Sequence, residues 1–183
     1  MNKIAIFGKP GGGKSTLCHA LANATGITAH SLDSIEYNKD GTRVSRDVYM
    51  DRHAQLVAED NWIIEGLGVL ESFWQRLDAA DTLIYIDLPY HVHYWWVTKR
   101  LIKGIFVKPI GWPEESSVWQ GTLASWKFLR LSPKFWNLAL YEQIELKTKD
   151  KKFYRIDSVY ALNQFVKQLN VSKPHQRVSS NRS

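Results

Sequence analysis

Gly8-Lys9-Pro10-Gly11-Gly12-Gly13-Lys14-Ser15 satisfies the Walker A pattern G-x-x-x-x-G-K-[ST] at every required position. Its glycines let the backbone turn tightly and present successive N–H groups to phosphate oxygens. Lys14 is placed to reach the terminal phosphates, and the Ser15 hydroxyl to ligate Mg²⁺. The flanks agree with this reading: Lys3 to Phe7 forms a short apolar run of strand type, and Ser15 to Ala24 carries Leu17, Ala20, Leu21 and Ala24 at helical spacing, with Gly26 as the stop. A helix opening at the loop adds its positive end to the anion site. Gly8 through Ser15, together with Thr16, are therefore the expected contacts of a bound nucleotide, and ATP with Mg²⁺ the expected ligands.

Moving outward, Ile27 to His30 reads as a second strand ending at Ser31-Leu32-Asp33. A turn at Asn38-Lys39-Asp40-Gly41 and a helix around Arg46–Glu59 follow, the latter with Val48, Met50, Ala54, Val57 and Ala58 among its apolar positions. Trp62-Ile63-Ile64 is the third strand, closing on Glu65-Gly66. A helical stretch around Leu70–Ala79 leads to the strand Thr82–Asp87. Short apolar strands alternating with helices imply a parallel sheet covered on both faces.

Beyond Tyr90 the pattern becomes helical, roughly His91–Ile105. A connection marked by Pro109, Gly111, Trp112 and Pro113 follows, and then helices about Ser117–Leu131 and Pro133–Lys147, the last with Ser132 as N-cap. Phe153–Asp157 is the fifth strand and Val159–Leu169 the closing helix, while the polar, basic stretch 172–183 reads as a disordered tail. Trp119, Leu123 and Trp126 share one helical face, which suggests packing more than base stacking.

The 183 residues suit one domain, set here at 1–171, with an inserted helical lid at about 101–149. No run is long enough to span a membrane, and nothing resembles a signal peptide. The single cysteine, Cys18, falls inside the first helix as a small core residue, which argues against disulfides and cysteine metal sites and for a cytoplasmic setting. Of the net charge of +6, all lies in residues 91–152, which hold 11 Lys/Arg against 5 Asp/Glu, the remaining 13 and 13 balancing elsewhere. Nucleic acid would use such a segment, and so would a lid closing over phosphates, so charge alone does not choose.

These residues together resemble the adenylate-kinase-like branch of P-loop kinases, and within it the bacterial DNA topology modulation protein (FlaR) related group. The resemblance covers about residues 1–169. Besides the loop, it is carried by Leu32-Asp33, Trp62 to Gly66, Ala79-Ala80-Asp81, Asp87-Leu88-Pro89, Trp95, Trp96, Lys99 and Arg100, and Tyr154 to Asp157. It implies a three-layer α/β P-loop fold with a five-stranded parallel sheet in the order 2-3-1-4-5. In position, Glu65 replaces the aspartate that holds a water on Mg²⁺ in adenylate kinases; its bland alternative is a carboxylate paired with a lysine. Arg100 falls where the resembling kinases place an arginine on the transferring phosphates. Trp96 stands where they stack an arginine on adenine, and it reads as a base platform or a core residue. Arg130, with Lys127 and Lys103, is a lid candidate.

Two departures bear on the acceptor. The D-x-x-R arginine after the second strand is Glu36 here, and Gly66-Leu67-Gly68-Val69 lacks the second arginine, so a nucleoside monophosphate such as AMP is disfavoured. The carboxylates Asp33 and Glu36 better suit a hydroxyl, sugar or amine. Asp33 is the candidate to orient or deprotonate the acceptor hydroxyl, with a helix N-cap as the alternative. The expected activity is transfer of the γ-phosphoryl group of Mg-ATP to a small acceptor, with Lys14, Asp33 and Arg100 as catalytic residues and Ser15 and Glu65 at the metal. The rival readings are a nucleic-acid-associated ATP-binding protein and an inactive nucleotide-binding regulator.

Overall fold

The fold was taken from a computed structural model, which describes residues 1–38, 40–104 and 118–171, without the side chains of residues 103, 104, 118–121, 170 and 171. The strands are β1 (Lys3–Gly8), β2 (Ala29–Ser31), β3 (Trp62–Glu65), β4 (Thr82–Ile86) and β5 (Lys152–Ile156). All neighbouring pairs are parallel, in the order β2-β3-β1-β4-β5, as the sequence implied. The helices are α1 (Lys14–Thr25), α2 (Leu32–Glu36), α3 (Arg46–Ala58), α4 (Leu70–Ala79), α5 (Tyr90–Gly104), α6 (Val118–Leu131), α7 (Leu138–Leu146) and α8 (Val159–Val171).

Strand alternation builds two cores, one on each face of the sheet. Ala5, Phe7, Trp62, Ile64, Leu83 and Tyr85 face α4 and α7, meeting Phe73, Leu77, Leu140 and Ile144. Ile4, Ile6, Ile63, Ile84 and Ile86 face α1 and α8, meeting Leu17, Leu21 and Leu162. Cys18 lies buried in this second core, and burial pushes its thiol up to about 12. Both faces of β1 are thus covered, which explains why the central strand reads as an unbroken apolar run.

Several local expectations change. The second strand is shifted to Ala29–Ser31, and the chain turns at once into the five-residue α2, a piece too short to show helical periodicity in sequence. The face that α3 buries is set by Tyr49 and His53, whereas Val48 is exposed; Tyr49 is held by a 2.9 Å hydrogen bond to Ser72. Ser132 and Pro133 open a 3₁₀ turn, and the helix proper starts only at Leu138. Its N-cap is Asn137, whose side chain accepts from the Leu140 N–H. Asn137→Ala is therefore expected to cost about 1 kcal/mol, read as a fall of roughly 2–4 °C in Tm.

In α6, Leu123 is exposed and Trp126 half-buried, so the expected packing face is not continuous; the Trp119 side chain lies outside the described residues. Trp95 is exposed as well. The turn at Asn38 is present, closed by Thr42 and Gly41, with Lys39 outside the described residues. The Pro109–Pro113 connection and the 172–183 tail also lie outside them. Within the stretch read as a lid, α7 is docked on the sheet through Leu140 and Ile144, while Tyr85 stacks on Trp136 at 5.3 Å. No helix among the described residues is long and apolar enough to cross a membrane.

Candidate active site

β1 is the middle strand, and its carboxyl end lies where the strand order reverses, the place at which open α/β sheets receive ligands. The glycine loop leaves β1 there and ends at Gly13, the N-cap of α1, in the left-handed region at φ 79°. Two glycines are required by close approach as well as by conformation. A Cβ on Gly8 (φ 140°) would lie 2.2 Å from the Ile86 carbonyl oxygen, and one on Gly11 (φ 71°) 2.5 Å from Val97.

Lys14 bends back over the loop and donates from Nζ to the Lys9 carbonyl at 2.9 Å. Burial lowers its ammonium below the ordinary value, while the charges of Glu65 and Asp33 act the other way. Ser15 donates to Glu65 Oε1 at 2.9 Å, and Ser31, at the end of β2, donates to the same oxygen at 2.9 Å. Glu65 is only 5% exposed, so one carboxylate joins the ends of β2 and β3 to the loop. The partners shown for Glu65 are hydroxyls and not a lysine. Ser15 and Glu65 thus present adjacent hard oxygen donors, a set that fits Mg²⁺, which keeps waters and nucleotide oxygens in the rest of its shell.

Asp33 lies in the first turn of α2, whose N-cap position belongs to Ser31, so the capping alternative does not apply to it. It is open to the crevice, yet the protein mass around it, followed by the charge of Glu65, raises its carboxyl above the ordinary value; Lys14 and Arg100 oppose this. Glu36 is paired with Arg43. Arg100, on α5, is half-buried, and its guanidinium is lowered by burial while Asp33 acts to raise it. It donates to Ser125 of α6 at 3.1 Å. Lys14, Glu65, Asp33 and Arg100, from four different elements, therefore act on one another electrostatically.

The remaining candidates are placed less uniformly. The Lys9 side chain turns down from the loop and is 3% exposed, its ammonium 2.5 Å from Asp87 and 5.0 Å from the Tyr90 ring. Asp87 also accepts from Tyr85 and, through its other oxygen, from Arg155 at 2.7 Å. Lys9 thus contributes its backbone to the loop mouth, and its charge anchors the loop to β4 and β5. Trp96 belongs to the α1/α8 core and also borders the loop, its ring lying 3.2 Å from where a Gly13 Cβ would be. Thr16 is exposed beside Ser15, and Arg130 is exposed in the last turn of α6, as is Lys127 earlier in that helix. The Lys103 side chain lies outside the described residues.

One functional neighbour was not legible in the sequence. His93 of α5 is fully buried and bonds the Pro10 carbonyl through Nδ1 at 2.8 Å. Because a carbonyl can only accept, Nδ1 carries the proton, and burial holds the ring neutral by lowering it to about 4. Its only sequence trace was a histidine among the apolar residues of a helix.

This combination of central glycine loop, Lys14 and the carboxylate-linked Ser15 on a 2-3-1-4-5 sheet is the fold of P-loop kinases. Among solved structures, shikimate kinase from Acinetobacter baumannii, in complex with shikimate, is similar with a TM-score of 0.55 at 15% identity over 96% of each chain. A gluconokinase from Sinorhizobium meliloti gives 0.49 at 14% identity over 93% of this chain and 90% of its own. A sugar kinase from Janibacter gives 0.47 at 18% identity over 91% and 88%. None of the three is named for the topology modulation group. No protein-family model matches the chain, and no curated protein matches it.

Proposed function

We propose that the protein is a phosphotransferase that moves the γ-phosphoryl group of Mg-ATP to a hydroxyl of a small acceptor other than AMP. The observation that carries this reading is the gathering of Lys14, Glu65, Asp33 and Arg100 around the carboxyl ends of β1, β2 and β3. In such a reaction the protein contributes positioning and charge stabilisation more than covalent chemistry. Loop N–H groups and the α1 N-terminus would hold the phosphates, and Mg²⁺ held by Ser15 and Glu65 would supply further charge neutralisation. Lys14 would exchange the Lys9 carbonyl for phosphate oxygens. Arg100 would balance charge as the phosphoryl group moves. Trp96, beside Gly13, would offer a ring to the base. With α7 docked on the sheet, the lid role falls to the part of the 101–149 segment before it.

Asp33 would orient the acceptor hydroxyl and take its proton, for which a carboxyl raised above the ordinary range is better matched than an unperturbed one. A raised carboxyl also shifts the acid limb of kcat/KM upward, since the base is lost as pH falls through that higher value. Asp33→Asn is expected to lower turnover about 10²-fold with ATP affinity kept, and to remove that acid limb. Weakened ATP binding would instead place Asp33 at the donor site.

The direct test is ADP release from Mg-ATP, with and without nucleosides, nucleoside monophosphates, sugars and amino alcohols. Release stimulated by one acceptor class is the expected result. Tight ATP binding with no stimulation by any of them would overturn the reading.

A further inference from the structure

Helix α5 lies along the glycine loop and meets it at each residue from Pro10 to Gly13. The His93 Nδ1–H donates to the Pro10 carbonyl at 2.8 Å. A Cβ on Gly11 would lie 2.5 Å from Val97, one on Gly12 2.9 Å from His93 Cε1, and one on Gly13 3.2 Å from Trp96. The space that side chains at these three positions would need is therefore taken by α5. Val97 fills its share with a methyl group and Trp96 with the carbon edge of its ring, whereas His93 places a fully buried imidazole there. Burying an imidazole where an aliphatic side chain would pack is unfavourable unless a hydrogen bond compensates, so the bond to Pro10 is what the histidine adds.

That bond falls on the peptide of the loop which the chain itself holds least. Residue 9 is fixed twice, its carbonyl accepting from Lys14 and its ammonium meeting Asp87. Pro10 has no N–H, and its ring fixes φ but leaves ψ free. Gly11, at φ 71°, has no Cβ to oppose rotation about its own φ. Those two torsions together turn the peptide between them, and turning it exchanges the directions of its C=O and N–H. With the carbonyl held by His93 in a trans peptide, the Gly11 N–H points away from α5, and it meets no acceptor among the described residues. Gly11 is half-buried and not enclosed. Turned the other way, the peptide would offer phosphate a carbonyl oxygen in place of a donor and would take the acceptor away from the imidazole.

We infer that His93 is a positioning residue of the phosphate loop: its Nδ1–H holds the Pro10–Gly11 peptide so that the Gly11 N–H, and not the Pro10 carbonyl, faces the phosphates of a bound nucleotide. The inference rests on the donor half of the reading above, the binding of Mg-nucleotide by the glycine loop, and on no acceptor. His93 itself touches no phosphate and acts through Gly11. Its ring, neutral at ordinary pH, contributes orientation and no charge.

The test compares Mg-ADP binding, measured by calorimetry on the full chain, in the wild type, His93→Leu and His93→Asn. Leucine fills the space without a donor, whereas asparagine is smaller but returns an N–H close to the Nδ1 position. His93→Leu is expected to bind about tenfold more weakly, and His93→Asn to recover to within about threefold of the wild type. Packing alone would give the opposite order, because asparagine leaves the larger gap. A folded His93→Leu that binds as tightly as the wild type, or a His93→Asn no better than His93→Leu, overturns the inference. Should either variant not fold, ¹⁵N spectra of the wild type decide. A saturable downfield shift of the Gly11 amide with Mg-ADP, beside those of Gly12 and Gly13, and a protonated Nδ1 on His93 are expected; a Gly11 amide that stays in place while the other two move overturns it. A wild type that binds neither Mg-ADP nor Mg-ATP would remove the nucleotide reading and the role of His93 together, whereas wild-type binding that His93→Leu leaves unaltered removes the role of His93 alone.

Discussion

Lys14→Ala is expected to reduce acceptor-stimulated ADP release by about 10³-fold or more, equivalent to ~4 kcal/mol of transition-state stabilisation. The geometry gives the reason. Lys14 is the cation of the loop itself, bent over it toward the Lys9 carbonyl, whereas the Lys9 ammonium is turned down to Asp87 and cannot substitute for it. On the proposed reading, removing the side chain takes away the charge meant for the transferring group; it opens no core cavity, so Tm should change little. Wild-type turnover in this variant would end the assignment of the loop as the phosphoryl-transfer site.

Asp87→Ala is expected to produce the largest loss of stability. It leaves the Lys9 ammonium buried without its carboxylate, and breaking a buried pair from one side costs about 3 kcal/mol or more, read as a Tm lower by roughly 6–12 °C. The pH dependence provides a second readout. Burial alone would raise the Asp87 carboxyl, but the hydrogen bonds from Lys9 and Arg155 outweigh it and hold the group below the ordinary carboxylate value. A depressed folded value means that the contribution is present above an unfolded pKa of about 4 and is lost as pH falls through the lower folded value. The wild type should lose this stability on acidification below about pH 4, and the variant should lack that part of the acid dependence. Equal acid profiles for the two proteins would show that the pair contributes nothing net.

The parts of the site that were legible in sequence are those whose chemistry is contiguous. Gly8 to Ser15 carries its conformation, its ligand atoms and its helix N-terminus within a few residues, and the alternation of apolar runs and helices gave the sheet. Glu65 was singled out by the family resemblance, which says nothing of its two hydroxyl partners, 50 and 34 residues away. The failures have physical causes. Ser132 and Asn137 are both good caps, and only the docking of Leu140 and Ile144 decides for Asn137. The direction of the Lys9 side chain depends on Asp87, 78 residues on, and the role of His93 depends on a carbonyl group, which carries no side-chain identity to read.

Cys18 gives the molecule a practical property. As the sole thiol in the chain, enclosed in the α1/α8 core and protonated well beyond neutral pH, it is a poor target for maleimides and oxidants. A reporter cysteine introduced on an exposed face can therefore carry a single fluorophore or spin label without first replacing Cys18. Distance changes on adding nucleotide or acceptor could then be followed in a chain whose interior is left as it is.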